Sequence, residues 1–216
     1  MESEDLEAFM DLNSVREQSL QAASRLGFAV NKSLPFLGQV KAIRNAEEIV
    51  KRLLCLHAVA ACSYGFDRAK ARVWLERELV FGDLVAAERR FIEEGQGDAV
   101  RFKVQVEGMW ALAWALGMVR QLDFSKDCDS KFVTALPNLK DGEAGDAFLS
   151  KIDPRAASEI IAACDLAYCL HWAIRQAQLT GDKPPGRVQP YVVEERRRAL
   201  EWLLSNEPWD EVALDT

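Results

Sequence analysis

The sequence has no apolar run long enough to cross a membrane and no secretory pattern at its start. Its longest strongly apolar stretch, "MWALAWALGMV" at 109–119, is much shorter than the about 20 residues that a bilayer requires. The N-terminus, "MESEDLEAFMDL", is acidic and lacks the basic start and apolar centre of a signal peptide. We therefore expect a soluble cytoplasmic protein with no membrane partner.

The motifs that mark several common catalytic sites are also missing. There is no G-x-S-x-G turn for a nucleophilic serine, no G-x-x-x-x-G-K-[ST] phosphate loop and no G-x-G-x-x-G after a strand. These absences exclude the enzyme classes that depend on those motifs, and we expect no cofactor.

Basic residues are too few for generic nucleic-acid binding. Lys and Arg total 27 against 34 Asp and Glu, which gives a net charge of -7 and a pI near 5.0. Binding to a phosphate backbone depends on basic surfaces that release counterions. We expect no nucleic-acid partner, whereas a basic protein partner fits the charge.

The five cysteines do not form a disulfide framework. Their number is odd, and all except Cys128 lie in apolar segments with a helical pattern. This usage fits a reducing compartment, so we predict free thiols at each position: Cys55, Cys62, Cys128, Cys164 and Cys169.

Histidine occurs only twice, each time in the tripeptide CLH, so that Cys55, His57, Cys169 and His171 resemble a zinc ligand set. Residues i and i+2 of a helix point about 200° apart, and neither pair can then bind one metal ion from its own helix. We therefore expect no metal site.

What the sequence does contain is a dense helical pattern. Apolar residues make up 49% of the 216 residues, and no series of short strands is evident. We predict a single all-α globular domain over 1–216, with about seven to nine helices around two buried central helices. Residues 1–12 form an acidic N-terminal segment, and 123–152 and 181–189 are connecting loops.

Capping residues set the predicted helix boundaries. A first helix spans 13–26 and ends at Gly27, and Asn45 with Glu48 forms a capping box for the next one, which ends at Gly65. Further starts are marked by a cap or a proline: Asp67, Asp83, Asp98, Asp153 and Pro190. The two central helices are 98–121, read as one continuous element, and 154–179.

Three charged residues fall where the helical pattern calls for apolar side chains. Projection at about 100° per residue places Arg196 on the apolar face of "VVEERRRALEWLL", while Glu194, Glu195 and Arg198 point away. Asp165 and Glu107 lie among apolar residues of their own helices. Of the three adjacent arginines 196–198, we thus expect one in the core and two facing water or the rim.

These charges have two interpretations. An unpaired buried charge costs several kcal/mol, so Arg196 is predicted to pair with Asp165, or with Asp210 or Asp215 in the C-terminal turn. Alternatively the same carboxylates, Glu107 and Asp165, line a pocket, with His171 and Arg175 at its mouth.

The sequence resembles the domain-of-unknown-function family 4272, a mainly bacterial group. The resemblance runs from about Val15 to the C-terminus and rests on "EGMWALAWALGMVRQLDF" with a following "CD", then "LAYCLHWAIR", "VVEERRRALEWLL" and "WDEVALDT", together with "LP" at 34–35 and "EEIVKR" at 47–52. It implies these recurrent polar positions: Glu107, Asp129, Asp165, His171, Arg175, Glu195, Arg196, Trp209, Asp210 and Asp215. The family pattern has histidine where this chain has Arg197, which argues against a histidine base on the last long helix.

Two functions remain as hypotheses. The first is a non-catalytic interaction module, of an immunity or adaptor type, whose acidic surface masks a basic partner. The second is an enzyme or small-ligand-binding protein with a cleft between the helices 98–121, 154–179 and 190–205. The candidate residues form either a site or a structural polar cluster: Glu107, Asp165, His171, Arg175, Glu195, Arg196, Asp210 and Asp215.

Overall fold

The computed structural model describes residues 11–36, 40 and 43–215, and these form α-helices, short 3-10 helices and turns, with no strand among them. The all-α prediction is confirmed. Most of the acidic N-terminal segment, residues 1–10, lies outside the described residues. The described α-helices are α1 (Leu12–Arg25), α2 (Ala46–Ser63), α3 (Arg68–Arg77), α4 (Ala86–Glu94), α5 (Ala99–Val104), α6 (Val106–Ala115), α7 (Ala157–Thr180) and α8 (Pro190–Leu203).

The chain folds into two compact units. Unit 1 consists of Met1–Arg44, Gln121–Asp127 and Arg155–Thr216, and it contains α1, α7 and α8. Unit 2 consists of Asn45–Arg120 and Cys128–Pro154, with α2 to α6. That the chain is one domain stays a prediction.

Several helix starts follow the sequence signals. The Asn45 side chain accepts from the Glu48 N–H while the Glu48 carboxylate accepts from the Asn45 N–H, both at 3.0 Å. Asp67 caps α3, Asp98 caps α5, and Pro190 occupies the first turn of α8. These local hydrogen bonds satisfy N–H groups that have no partner within the helix.

Two predicted caps are wrong. Asp83 lies in a 3-10 helix, Phe81–Asp83, and α4 begins later, where Glu88 accepts from the Val85 N–H at 3.1 Å. Asp153 does not cap α7, which begins at Ala157 with Glu159 accepting from the Ala156 N–H. In both places a glutamate in the first turn provides the acceptor instead of the preceding aspartate.

The predicted continuous helix 98–121 is two shorter helices. It breaks at Gln105, between α5 and α6, and α6 ends at Ala115. Beyond it Gly117 has φ +76°, and the Asp153 N–H donates to the Leu116 carbonyl at 3.0 Å. A side chain at Gly117 would overlap the Asp153 carbonyl oxygen, so glycine is required where these two segments of unit 2 meet.

In unit 1, α7 packs against both α1 and α8. The apolar side chains of α7 are buried along most of its length, as the sequence predicts for 154–179. Among the described residues α7 is also the one helix whose length and composition would suit a membrane span. However, 61% of the most apolar 18-residue stretch of this helix is buried inside the protein, as in the core helix of a soluble protein.

In unit 2, α2 is the helix against which α3, α4, α5 and α6 all pack. Twelve of its 18 residues are buried. The connecting loop 128–154 contains two 3-10 helices, Phe132–Ala135 and Gly145–Lys151. The loop is bound to α3 by main-chain contacts, because the Trp74 Nε1 donates to the Glu143 carbonyl at 2.7 Å.

Candidate functional site

Asp165 is buried in unit 1 and binds Arg16. The Arg16 Nη2 lies 2.7 Å from the Asp165 Oδ1, and its Nε donates to the same carboxylate at 3.1 and 3.2 Å. The remaining donors reach the carbonyls of Leu34 and Pro35 at 2.7 and 3.0 Å. Burial acts to lower the pKa of Arg16, but the hydrogen bond and the charge of Asp165 raise it above its usual value.

The predicted pairing of Arg196 with Asp165 is therefore wrong. The sequence reasoning missed Arg16, although one signal was present: Arg16, Ser19 and Ala23 form a face of α1 at helical spacing, and all three are buried. Small side chains at two of these positions let α1 approach α7 closely, so that Arg16 reaches Asp165.

Arg196 is fully buried, as the helical projection predicts. Its Nη1 donates to the Asp123 carbonyl at 2.6 Å and its Nη2 to the Lys126 carbonyl at 3.1 Å. The guanidinium carbon also lies 5.6 Å from the centre of the Phe124 ring. Arg196 thus binds the main chain of 123–126 to α8 within unit 1. Asp210 and Asp215, the other two predicted partners, have exposed side chains.

Arg197 contradicts the prediction that it faces water or the rim, since it is only 3% exposed. It donates to the Glu201 Oε1 at 3.1 Å, the His171 Nδ1 at 2.7 Å and the Asp215 carbonyl at 2.8 Å. Its guanidinium also lies over Tyr168, 4.8 Å from the ring centre. The helical projection failed because an arginine can reach buried acceptors from the edge of an apolar face.

His171 is buried and neutral. Burial, followed by the charges of Arg197, Arg175 and Arg198, lowers its pKa to about 3. Because Arg197 can only donate, the His171 Nδ1 accepts and the proton sits on Nε2, which faces the Glu194 carboxylate at 3.8 Å. This histidine therefore acts as a fixed hydrogen-bond acceptor at neutral pH.

The two other predicted site residues on α7 and α8, Arg175 and Glu195, have different surroundings. Arg175 is exposed and donates to Gln178 at 2.7 Å, one turn further along α7. Glu195 is buried rather than pointing away as predicted, and its Oε1 lies 3.7 Å from the Nε of the half-buried Arg198. Arg175 is thus exposed to solvent, whereas Glu195 is not.

Arginines hold the C-terminal segment, residues 207–215, by its carbonyl groups. Arg44 donates to the carbonyl of Glu207 at 2.7 Å, Arg198 to that of Val212 at 3.2 Å and Arg197 to that of Asp215. Three of its four acidic side chains, Asp210, Glu211 and Asp215, are exposed and make no ion pair in the described part of the chain. The segment is thus bound through its main chain and through the buried side chains of Trp209 and Val212, while these three acidic side chains remain accessible.

Glu107 belongs to unit 2, whereas the other seven candidate residues belong to unit 1. It is buried, and its Oε1 accepts from the Cys128 N–H at 2.9 Å. Two surface grooves, one in each unit, have volumes of about 670 and 620 Å³. None of the eight candidate residues lines either groove.

Two of the four residues that resembled a zinc set, His57 and Cys55, contact main-chain carbonyls of unit 2. The His57 Nε2 donates to the Pro137 carbonyl at 2.9 Å, and the Cys55 Sγ lies 3.3 Å from the Val80 carbonyl. Within the described ranges, no group of three His, Cys, Asp or Glu side chains is placed to hold a metal ion.

All five cysteines are free thiols, as predicted. Four are buried, and burial raises the pKa of each: to about 12 for Cys55 and Cys62, to about 11 for Cys169, and well above the usual value for Cys164. Such thiols are poor nucleophiles, because the thiolate is the reactive form. Cys128 alone is half-exposed.

The comparison with family models agrees with the sequence motifs. A model of the family described as Domain of unknown function (DUF4272) matches residues 15–212. The chain belongs to this family. No curated protein and no solved structure shows a significant match. The matched residues include Arg16, Asp165, Arg196 and Arg197, whereas Leu214 and Asp215 lie beyond the match.

Proposed function

We propose that this DUF4272 protein is a non-catalytic interaction module that binds a basic protein partner through its acidic C-terminal segment, residues 207–215. The observation that carries the proposal is the way this segment is held. Arginines bind its carbonyl groups, and the carboxylates of Asp210, Glu211 and Asp215 stay exposed. An ordered row of carboxylates attracts a cationic surface and orients it.

The distribution of charge supports the same proposal. The buried charged side chains of the described residues are four arginines and four acids: Arg16, Arg52, Arg196, Arg197, Glu88, Glu107, Asp165 and Glu195. Because these charges cancel, the net charge of -7 belongs to residues outside this core. A negative surface increases the encounter rate with a basic partner and makes that rate sensitive to salt.

The alternative, an enzyme or ligand-binding protein, has less support from these contacts. Its proposed acids and bases already have partners inside the protein: Asp165 binds Arg16, and His171 accepts from Arg197. A general base must be able to reach a substrate proton, and its pKa works best near the operating pH. The lowered pKa of His171 makes it a weak base.

Neutralisation of the segment tests the proposal. A fluorescent peptide of about ten lysines serves as the cationic probe, and its anisotropy is measured at about 20 mM salt, where screening is weak. The triple variant Asp210→Asn, Glu211→Gln, Asp215→Asn should bind about tenfold more weakly, because each exposed charge contributes about 0.5 kcal/mol. Affinity purification from the source organism, with the wild type and this variant in parallel, then identifies partners that depend on the segment.

A matched variant controls for net charge. Glu17, Glu94 and Asp146 are exposed carboxylates elsewhere on the chain. Their replacement by Gln, Gln and Asn changes the net charge by the same amount and should weaken binding less than threefold. Equal loss in both triple variants, or no binding by the wild type, would contradict the proposal.

A further inference from the structure

We infer that Arg197 is the positioning residue that fixes the acidic segment 207–215 in its binding geometry. The inference rests on the proposed function of this segment. Arg197 lies on α8 and is 3% exposed, and its Nη2 donates to the Asp215 carbonyl at 2.8 Å. Its Nη1 lies 3.5 Å from the Leu214 carbonyl as well, so one guanidinium spans two consecutive residues at the end of the segment.

The guanidinium is itself held by three other side chains. The His171 Nδ1 accepts from Nη1 at 2.7 Å, and the Glu201 carboxylate accepts from Nε at 3.1 Å. The Tyr168 ring lies against its face. With these groups fixing the guanidinium plane, its donors point to the carbonyls of the segment with little conformational freedom.

The pairing pattern explains why Asp210, Glu211 and Asp215 remain accessible. Arg197 forms its ion pair with Glu201, and Arg198 forms its ion pair with Glu195, both partners being on α8. The donors left over bind main-chain oxygens of the segment. The cations beneath the segment therefore hold it without neutralising Asp210, Glu211 or Asp215 through direct pairs. Ordering the segment before it meets a partner removes an entropy cost from binding.

A positioning role and simple electrostatics predict opposite changes in the affinity for the lysine peptide. Arg197→Ala removes a positive charge next to the acidic segment, so electrostatics alone predicts tighter binding of the lysine peptide. Loss of positioning predicts weaker binding, and we expect a loss of about fivefold. Order parameters from ¹⁵N relaxation of residues 210–215 should fall from about 0.85 to below about 0.6.

Two further variants keep the test decisive if Arg197→Ala does not fold. Arg197→Lys keeps the charge but cannot bind His171, Glu201 and Asp215 together, and should weaken binding at least threefold. Arg198→Ala removes the half-buried anchor at Val212 and should weaken binding about twofold. Arg25→Ala is the control: it removes a charge of the same sign at an exposed position of α1 and should leave the order parameters unchanged.

The outcomes separate the two proposals. If the wild type does not bind the lysine peptide, the proposed function fails, while the order parameters still show whether Arg197 orders the segment. If the wild type binds and the folded Arg197 and Arg198 variants bind equally well or more tightly, the positioning role is overturned. Unchanged order parameters in these variants would overturn it as well.

Discussion

Arg16 and Asp165 form a two-pronged ion pair in which each side chain is only 6% exposed. Removal of one partner leaves the other charge buried without compensation, and such losses typically cost about 3–5 kcal/mol. We predict this loss in the free energy of unfolding for Arg16→Ala and for Asp165→Ala, measured by urea denaturation. The double variant Arg16→Ala, Asp165→Ala should lose much less than the sum. Strictly additive losses would show that the two residues do not interact.

The neighbouring arginines of α8 should differ sharply in their contribution to stability. Arg196 is fully buried and binds two main-chain carbonyls, and Arg196→Ala should lower the free energy of unfolding by about 3 kcal/mol, since both acceptors lose their donor. Arg196→Lys should also destabilise, because one ammonium cannot reproduce the guanidinium geometry. Arg198→Ala, at a half-buried position, should cost less than about 1 kcal/mol. Similar losses in the two alanine variants would contradict this assignment.

Gly117 and Gly82 provide a matched pair of substitutions in unit 2. A Cβ at Gly117 would overlap the Asp153 carbonyl oxygen, and its φ of +76° is unfavourable for any other residue. We predict that Gly117→Ala destabilises by at least about 3 kcal/mol. A Cβ at Gly82 meets nothing within 4 Å, so Gly82→Ala should change the stability by less than about 1 kcal/mol. Thermal and urea unfolding of the two variants make the comparison.

Stability should fall as the pH decreases from about 6.5 toward 4. The pKa of His171 is lowered to about 3, first by burial and then by Arg197, so the unfolded chain binds a proton in this window that the folded protein does not. The pKa of His57 is lowered too, chiefly by burial, and contributes with the same sign. His171→Gln keeps an acceptor for Arg197 and should reduce the slope by up to about 1.4 kcal/mol per pH unit. An unchanged slope in this variant would show that His171 does not titrate in this way.

The thiols should react in two classes. In the native protein at pH 8, we predict that a thiol reagent modifies Cys128 first, because the other four thiols are buried with raised pKa values. After denaturation without reductant, all five should react. Cys128→Ser should abolish the fast native reaction. Fast labelling that survives this substitution would mean that a buried thiol becomes accessible.

Local signals in the sequence predicted much of the fold. The capping interactions at Asn45, Asp67 and Asp98 depend on residues within three positions of each other, and they form as expected. Asp83 and Asp153 carry the same kind of signal, yet α4 and α7 begin further along the chain. At these places a first-turn glutamate competes for the same N–H groups, and a single sequence does not show which acceptor wins.

The candidate site could be predicted only in part, because burial follows helical spacing whereas partners depend on the fold. Projection placed Arg196 and Asp165 in apolar surroundings, and both are buried. Arg16 lies 149 positions from Asp165 in the sequence, so nothing local connects the two. Arg197 was missed for another reason: its binding groups lie at the end of a long flexible side chain, which helical projection treats as a single direction.

The way the C-terminal segment is bound also bears on how a protein of this kind diversifies. Every residue offers the same main-chain oxygen. The hydrogen bonds that Arg44, Arg197 and Arg198 donate to these oxygens therefore do not depend on which exposed side chains the segment carries. If the segment binds a partner as proposed, substitutions at Asp210, Glu211 and Asp215 change what it recognises while these main-chain hydrogen bonds stay intact. Recognition and folding can then evolve separately, and new specificities can be selected from libraries in which only these exposed positions vary.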